Sequence, residues 1–109
     1  MIIEDELVLL VLYKDYLMKN GCDDMATSTT ADEILVDYES YQPDFLIVDS
    51  KLPGGTNGLQ AARDVLLLDP NAKIIILTAY SNVKQEIEGK YIKVIMKPIQ
   101  MSQLKSFVV

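Results

Sequence analysis

Four short apolar runs along the chain each stop on a polar residue. Ile2-Ile3 stops on Glu4-Asp5, Phe45-Leu46-Ile47-Val48 on Asp49, Ile74-Ile75-Ile76-Leu77 on Thr78, and Val94-Ile95-Met96 on Lys97. Runs that are apolar at every position suit strands covered on both faces, as in a parallel sheet, whereas half-exposed strands alternate. Strand-like segments at 2–4, 44–49, 73–78 and 92–96 are separated by segments of helical spacing. These are Leu9, Leu12, Tyr13, Tyr16, Leu17; Ala31, Ile34, Leu35, Tyr38; Leu59, Ala62, Leu66, Leu67; and Met101, Leu104, Val108. Two periods in regular alternation are the βαβα signature of an α/β fold, a parallel sheet with helices on both faces.

Local punctuation agrees with this division. Gly21 stands where the first helix needs a C-terminal cap, and Thr30-Ala31-Asp32-Glu33 reads as a capping box opening the second. A second strand is expected near Asp23 to Thr27, on the strength of the alternation alone, because Asp23-Asp24 is poor strand chemistry. A fourth helix is expected within Ser81 to Glu88, with Val83 and Ile87 as its apolar pair. The apolar surplus from Leu7 to Tyr13 reads as a buried helix more economically than as a dimer contact.

Length and composition narrow the possibilities. A chain of 109 residues, half of them hydrophobic, builds one domain with a real core. The longest apolar stretch, Leu7 to Tyr13, is far shorter than the roughly 20 residues of a membrane-spanning helix and lacks the basic flank of a signal peptide, so a soluble, cytoplasmic protein is expected. Ten basic against sixteen acidic residues give a net charge of −6 with no basic stripe, which argues against direct nucleic-acid binding. The single Cys22 cannot form an intramolecular disulfide. With no histidine in the chain, Cys/His zinc sites and Ser-His or Cys-His catalytic pairs are excluded, and any phosphohistidine chemistry must use a partner's histidine.

The polar stops are the candidate chemistry, because open α/β sheets bind ligands at the carboxyl ends of their strands. Asp49 precedes a loop, Ser50 to Gly55, too rich in Pro and Gly to continue the strand, so its carboxylate should stand at the sheet edge. An isolated Asp there would merely start a turn. Glu4-Asp5 ends the first strand in the same way, and if strands one and three are neighbours three carboxylates share one pocket. Two unit charges about 4 Å apart interact by roughly 4 kcal/mol at an effective dielectric near 20, so a proton or a cation must bind. A hard divalent ion, Mg²⁺ before others, meets that need and leaves positions for water and a phosphoryl oxygen. Alternatively, Asp5 is the N-cap of the first helix and Glu4 a solvated neighbour. Lys97, before Pro98, offers a point charge for a phosphoryl oxygen, or is simply solvated; Thr78 offers a hydroxyl, or is there for its β-propensity.

Taken together, Ile2-Ile3-Glu4-Asp5-Glu6, Phe45 to Asp49 with Leu52-Pro53-Gly54 and Asn57-Gly58-Leu59, Ile76-Leu77-Thr78-Ala79-Tyr80 and Met96-Lys97-Pro98 resemble the receiver domain of two-component response regulators. The resemblance covers essentially the whole chain, 1–109. It implies the CheY-like fold, a doubly wound five-stranded parallel sheet of order 2-1-3-4-5. It also implies that Asp49 accepts a phosphoryl group from a phosphohistidine on a sensor histidine kinase or a phosphotransfer protein. Asp5 and Asp49 would hold Mg²⁺ directly, Glu4 largely through water, and the Lys51 backbone carbonyl would be a further ligand. Thr78 and Lys97 would contact the phosphoryl group, across a cis Lys97-Pro98 bond. Such a domain is a signalling acceptor and not an enzyme, acting on a downstream effector or output domain.

The chain departs from the family pattern in places. The aromatic residue usually found three positions before the lysine is Val94, with Tyr91 and Tyr80 as possible substitutes. The interval from Thr78 to Lys97 is short, and Gly54-Gly55-Thr56 slightly lengthens the loop after Asp49. A haloacid-dehalogenase phosphatase would need an Asp where Lys51 stands, and a flavodoxin-type FMN site would be repelled by Glu4-Asp5-Glu6. The remaining alternative is a degenerate receiver kept as a phosphorylation-independent interaction module.

Overall fold

The structure is a computed structural model and describes residues 1–52, 57–79 and 87–108. Its strands are β1 (Ile2–Ile3), β2 (Thr27–Ser28), β3 (Leu46–Asp49), β4 (Lys73–Thr78) and β5 (Tyr91–Met96); its helices are α1 (Leu7–Lys19), α2 (Ile34–Tyr41), α3 (Gly58–Leu68) and α4 (Met101–Val108). All strand pairs are parallel, and the order is β2-β1-β3-β4-β5. This is the doubly wound sheet expected from the alternation of periods.

The wholly apolar strands are covered on both sides, and residue parity decides which side each side chain takes. Ile3, Leu46, Val48, Ile74 and Ile76 pack with Ile34 and Tyr38 of α2 and Ala61, Ala62 and Val65 of α3. Ile2, Ile47, Ile75, Leu77 and Ile95 pack with Leu10, Tyr13 and Leu17 of α1 and Leu104 of α4. One helix on one side of a sheet can bury only a stripe, and this corrects the reading of α1 as a buried helix. Leu10, Tyr13 and Leu17 are buried, whereas Leu7, Val8, Val11 and Leu12 remain 64, 73, 62 and 49% exposed. Leu35 and Leu67, which belong to the helical spacing read from the sequence, also face solvent.

Gly21 does end α1, two residues after Lys19, with a φ of 113° that a side chain would resist. The capping box does not form as expected. A turn closed by the Ile34 N–H on the Ala31 carbonyl occupies those residues, and α2 starts at Ile34 with Glu33 as an N-cap that makes no side-chain bond. The second strand lies later than expected: the Asp24 carboxylate accepts the Met25 N–H, and only Thr27–Ser28 pairs with β1. The expected fourth helix falls almost wholly outside the described residues, as do Tyr80 and the Gly54-Gly55-Thr56 insertion. Among the described residues no helix is long and apolar enough to cross a membrane.

Candidate functional site

The register of the sheet brings the polar stops to one edge. Ile3 pairs with Val48, so Glu4 follows β1 beside Asp49 at the end of β3; Thr78 ends β4, and its carbonyl accepts the Lys97 N–H at 2.7 Å. Parity then sorts the side chains. Glu4, Asp49 and Lys97 continue the alternation of Ile2, Ile47 and Ile95 and fall on the α1 side, while Ser50 and Thr78 continue that of Val48 and Ile76 and fall on the α2–α3 side.

On the α1 side, the carboxylate oxygens of Glu4, Asp5 and Asp49 lie within 4.8 Å of one another. Glu4 and Asp49 are buried, with 1 and 5% of their surfaces exposed, and Asp5 is exposed. Both Asp49 oxygens are held: Oδ1 accepts the Lys51 N–H at 3.0 Å and Oδ2 the Lys97 ammonium at 2.5 Å. Glu4 is less well served. One of its oxygens accepts the Glu6 N–H at 3.2 Å, and the other, Oε2, is buried without a hydrogen-bond partner. Burial pushes the Glu4 carboxyl up to about 7, the Glu6 N–H opposes this, and the nearby Asp49 charge adds to it. For Lys97, burial disfavours the ammonium, but the bond to Asp49 and the charges of Asp49 and Glu4 outweigh it and hold its pKa above the ordinary value. A cavity of about 230 Å³, lined by Asp5, Glu6, Asp49, Lys51, Ala79 and Lys97 among others, opens over this group.

The start of α3 fixes the end of β3 from below. Asn57 caps the helix by accepting the Gln60 N–H at 2.8 Å, and the Gly58 N–H donates to the Ser50 carbonyl at 3.1 Å. A Cβ on Gly58 would stand 1.7 Å from the Asp49 carbonyl oxygen, so only glycine lets the helix lie against the Asp49-Ser50 backbone.

All the residues singled out from sequence, Glu4, Asp5, Asp49, Lys51, Thr78 and Lys97, lie at this edge. Thr78 is fully buried there. The Lys97–Pro98 bond is cis. Asp5 does not cap α1, whose N-cap is Glu6. Val94 is half-buried, opposite Ile76. Tyr91 cannot stand in for an aromatic residue near Thr78: it pairs with Lys73 at the far end of β4, five residues or roughly 16 Å away, and is exposed under the Lys90 ammonium. Sequence reasoning missed Ser50, whose hydroxyl donates to Thr78 Oγ1 at 2.9 Å in a buried contact. Its signal was parity, since Ser50 and Thr78 continue the same face of adjacent strands.

Known proteins of the same fold and related sequence give the family of the chain. The profile of the response regulator receiver domain matches residues 1–109. The chain belongs to that family. The receiver is 30% identical to the chemotaxis protein CheY of Thermotoga maritima, over 95% of this chain and 88% of that protein. It superposes on a response regulator receiver domain protein from Clostridium thermocellum with a TM-score of 0.84 at 25% identity, covering 98% of this chain and 87% of the other. A receiver protein from Sinorhizobium medicae shares the fold with a TM-score of 0.85 at 20% identity, over 98% and 87% of the two chains. Receivers are signalling domains of two-component systems, working with histidine kinases or phosphotransfer proteins and with output domains.

Proposed function

We propose that this receiver accepts a phosphoryl group on Asp49 in a Mg²⁺-dependent reaction and thereby switches a partner or output domain. The observation that carries the reading is the buried, unpartnered Oε2 of Glu4 beside the buried Asp49 and the exposed Asp5. A buried polar atom without a partner is costly, and a hard cation satisfies it while neutralising the three carboxylates. Glu4, Asp5 and Asp49 would hold the ion, with the Lys51 carbonyl as a further ligand. Adjacent oxygens around Mg²⁺ sit about 3 Å apart. Glu4, Asp5 and Asp49 each offer an oxygen within 4.8 Å of the others, and Glu4 would reach the ion largely through water. Bound there, the cation supplies charge neutralisation at the phosphoryl oxygens.

The protein's own groups do the positioning. In transfer, an Asp49 carboxylate oxygen forms the new P–O bond as the P–N bond to the donor's imidazole breaks. The electron pair leaves on that nitrogen, which takes a proton. Lys51 N–H and the Lys97 ammonium orient the Asp49 carboxylate, and Lys97 and Thr78 would bind the phosphoryl oxygens once it is modified. A module that only docked partners would have no use for two carboxylates held out of water.

The reading is tested by incubating the protein with a small acyl phosphate and Mg²⁺ and measuring intact mass. One phosphoryl adduct is expected on the parent and none on Asp49→Asn. An unmodified parent, or an adduct retained by Asp49→Asn, would contradict it.

A further inference from the structure

We infer that Ser50 is a positioning residue that acts through Thr78: its hydroxyl sets the Thr78 side chain at the height where a phosphoryl group on Asp49 would meet it. The inference rests on the phosphoacceptor reading above. Ser50 directly follows the acceptor, so any displacement of the Asp49 backbone moves it. Its main chain is fixed at both ends, by its N–H on the Leu77 carbonyl at 2.9 Å and by its carbonyl under the Gly58 N–H at 3.1 Å. From that fixed backbone the side chain turns to the α2–α3 side and donates to Thr78 Oγ1 at 2.9 Å, with Ser50 8% exposed and Thr78 fully buried.

A serine at this point is not required by packing. Its neighbours of the same parity, Val48 and Ile76, are core residues, and an apolar side chain would continue their face. The hydroxyl instead ties the end of β3 to the end of β4, and Ser50 lines, with Asp49 and Lys97, the cavity over the reacting carboxylate. Hydroxyls linked in this way also polarise one another, which strengthens the bond Thr78 can offer onward. The position that would report Thr78 through an aromatic ring is Val94, half-buried and unable to hydrogen-bond. Ser50 is thus the polar side chain that couples the acceptor strand to Thr78 within the described residues.

The test follows the rate of adduct formation from a small acyl phosphate at saturating Mg²⁺, by intact mass, in the parent, Ser50→Ala, Ser50→Thr, Thr78→Ala and the double variant. Ser50→Ala is expected to be about fivefold slower, the factor corresponding to one net hydrogen bond. Ser50→Thr, which keeps the hydroxyl, is expected to restore the rate. The double variant is expected to be no slower than Thr78→Ala alone, because a residue that works only through Thr78 has nothing left to act on. If Ser50→Ala does not fold, Ser50→Cys, whose thiol is a weak donor, replaces it with the same expectation. A parental rate in Ser50→Ala, or effects that multiply in the double variant as independent packing defects do, overturns the inference alone. A parent that takes no phosphoryl group overturns the phosphoacceptor reading together with this one.

Discussion

At the edge where the strands begin, Asp23, Asp24 and Asp44 surround a cavity of about 430 Å³; where the strands end, Asp5 and Asp49 line one of about 230 Å³, with Glu4 buried behind them. The first edge has the larger hollow, and its three acids nearly match the four of the second, where Glu6 also lines the cavity. Yet its three aspartates are all exposed, and Asp24 accepts the N–H of the next residue, Met25. At the second edge the carboxylates of Glu4 and Asp49 are out of water, an ammonium is bound to Asp49, and one oxygen of Glu4 has no partner. Charge count and cavity size therefore do not distinguish a site from a surface. Burial of like charge does, because water can no longer screen it and a specific counter-ion must.

The largest effect is expected where the acceptor edge is most tightly packed. Gly58→Ala places a Cβ 1.7 Å from the Asp49 carbonyl oxygen, so helix and strand must separate. Denaturant unfolding should show a loss of about 3 kcal/mol, at the upper end for overpacking, with slowed adduct formation in whatever remains folded. Unchanged stability would mean that α3 does not rest on the acceptor strand as described.

Glu4→Gln should act in the opposite sense on the metal-free protein. It removes a charge that burial opposes, so stability at pH 8 should rise by on the order of 2 kcal/mol, while the stabilisation gained on adding Mg²⁺ should shrink. A destabilised metal-free variant would show that the orphaned oxygen is not a source of strain.

The same group predicts a pH dependence. A carboxyl raised from 4.5 to about 7 binds more protons in the folded than in the unfolded chain between those values. Its contribution to stability is thus fully present below about 4.5 and is lost as pH rises through about 7. Thermal unfolding without metal should fall across this window, and added Mg²⁺ should flatten the fall; a parallel slope with Mg²⁺ would place the titrating group elsewhere.

The smallest effects belong to the other edge. Asp23→Asn and Asp44→Asn, at exposed positions, should change stability by less than about 0.5 kcal/mol and leave the Mg²⁺ response and adduct formation as in the parent. A lost Mg²⁺ response in either would erase the distinction between the edges.

Much of this site was legible in the chain because buried parallel strands announce their own ends. Asp49, Thr78 and Lys97 each follow a run with no polar residue, and register then carries them to one place. What was not legible depends on packing between distant segments. Glu4 and Asp5 look equivalent in sequence, but parity buries the first beside Asp49 and leaves the second in water. Ser50 reads as the first residue of a loop until Thr78 is seen beside it. The unbroken apolar run Leu7 to Tyr13 contains no polar residue to mark which face of α1 looks outward, so the stripe containing Leu10 could not be told from the one containing Leu12. A two-residue β2 left only a weak strand signal between Asp23 and Thr30.

Burial of like charge should make this edge cation-dependent, and the decisive measurement is the rate of phosphoryl adduct formation against Mg²⁺ concentration, from chelator alone to saturation. A saturable rise from a negligible rate in chelator is expected, weakened in Asp5→Asn and unaltered in Asp44→Asn. An adduct that forms on Asp49 as fast in chelator as in Mg²⁺ would contradict it.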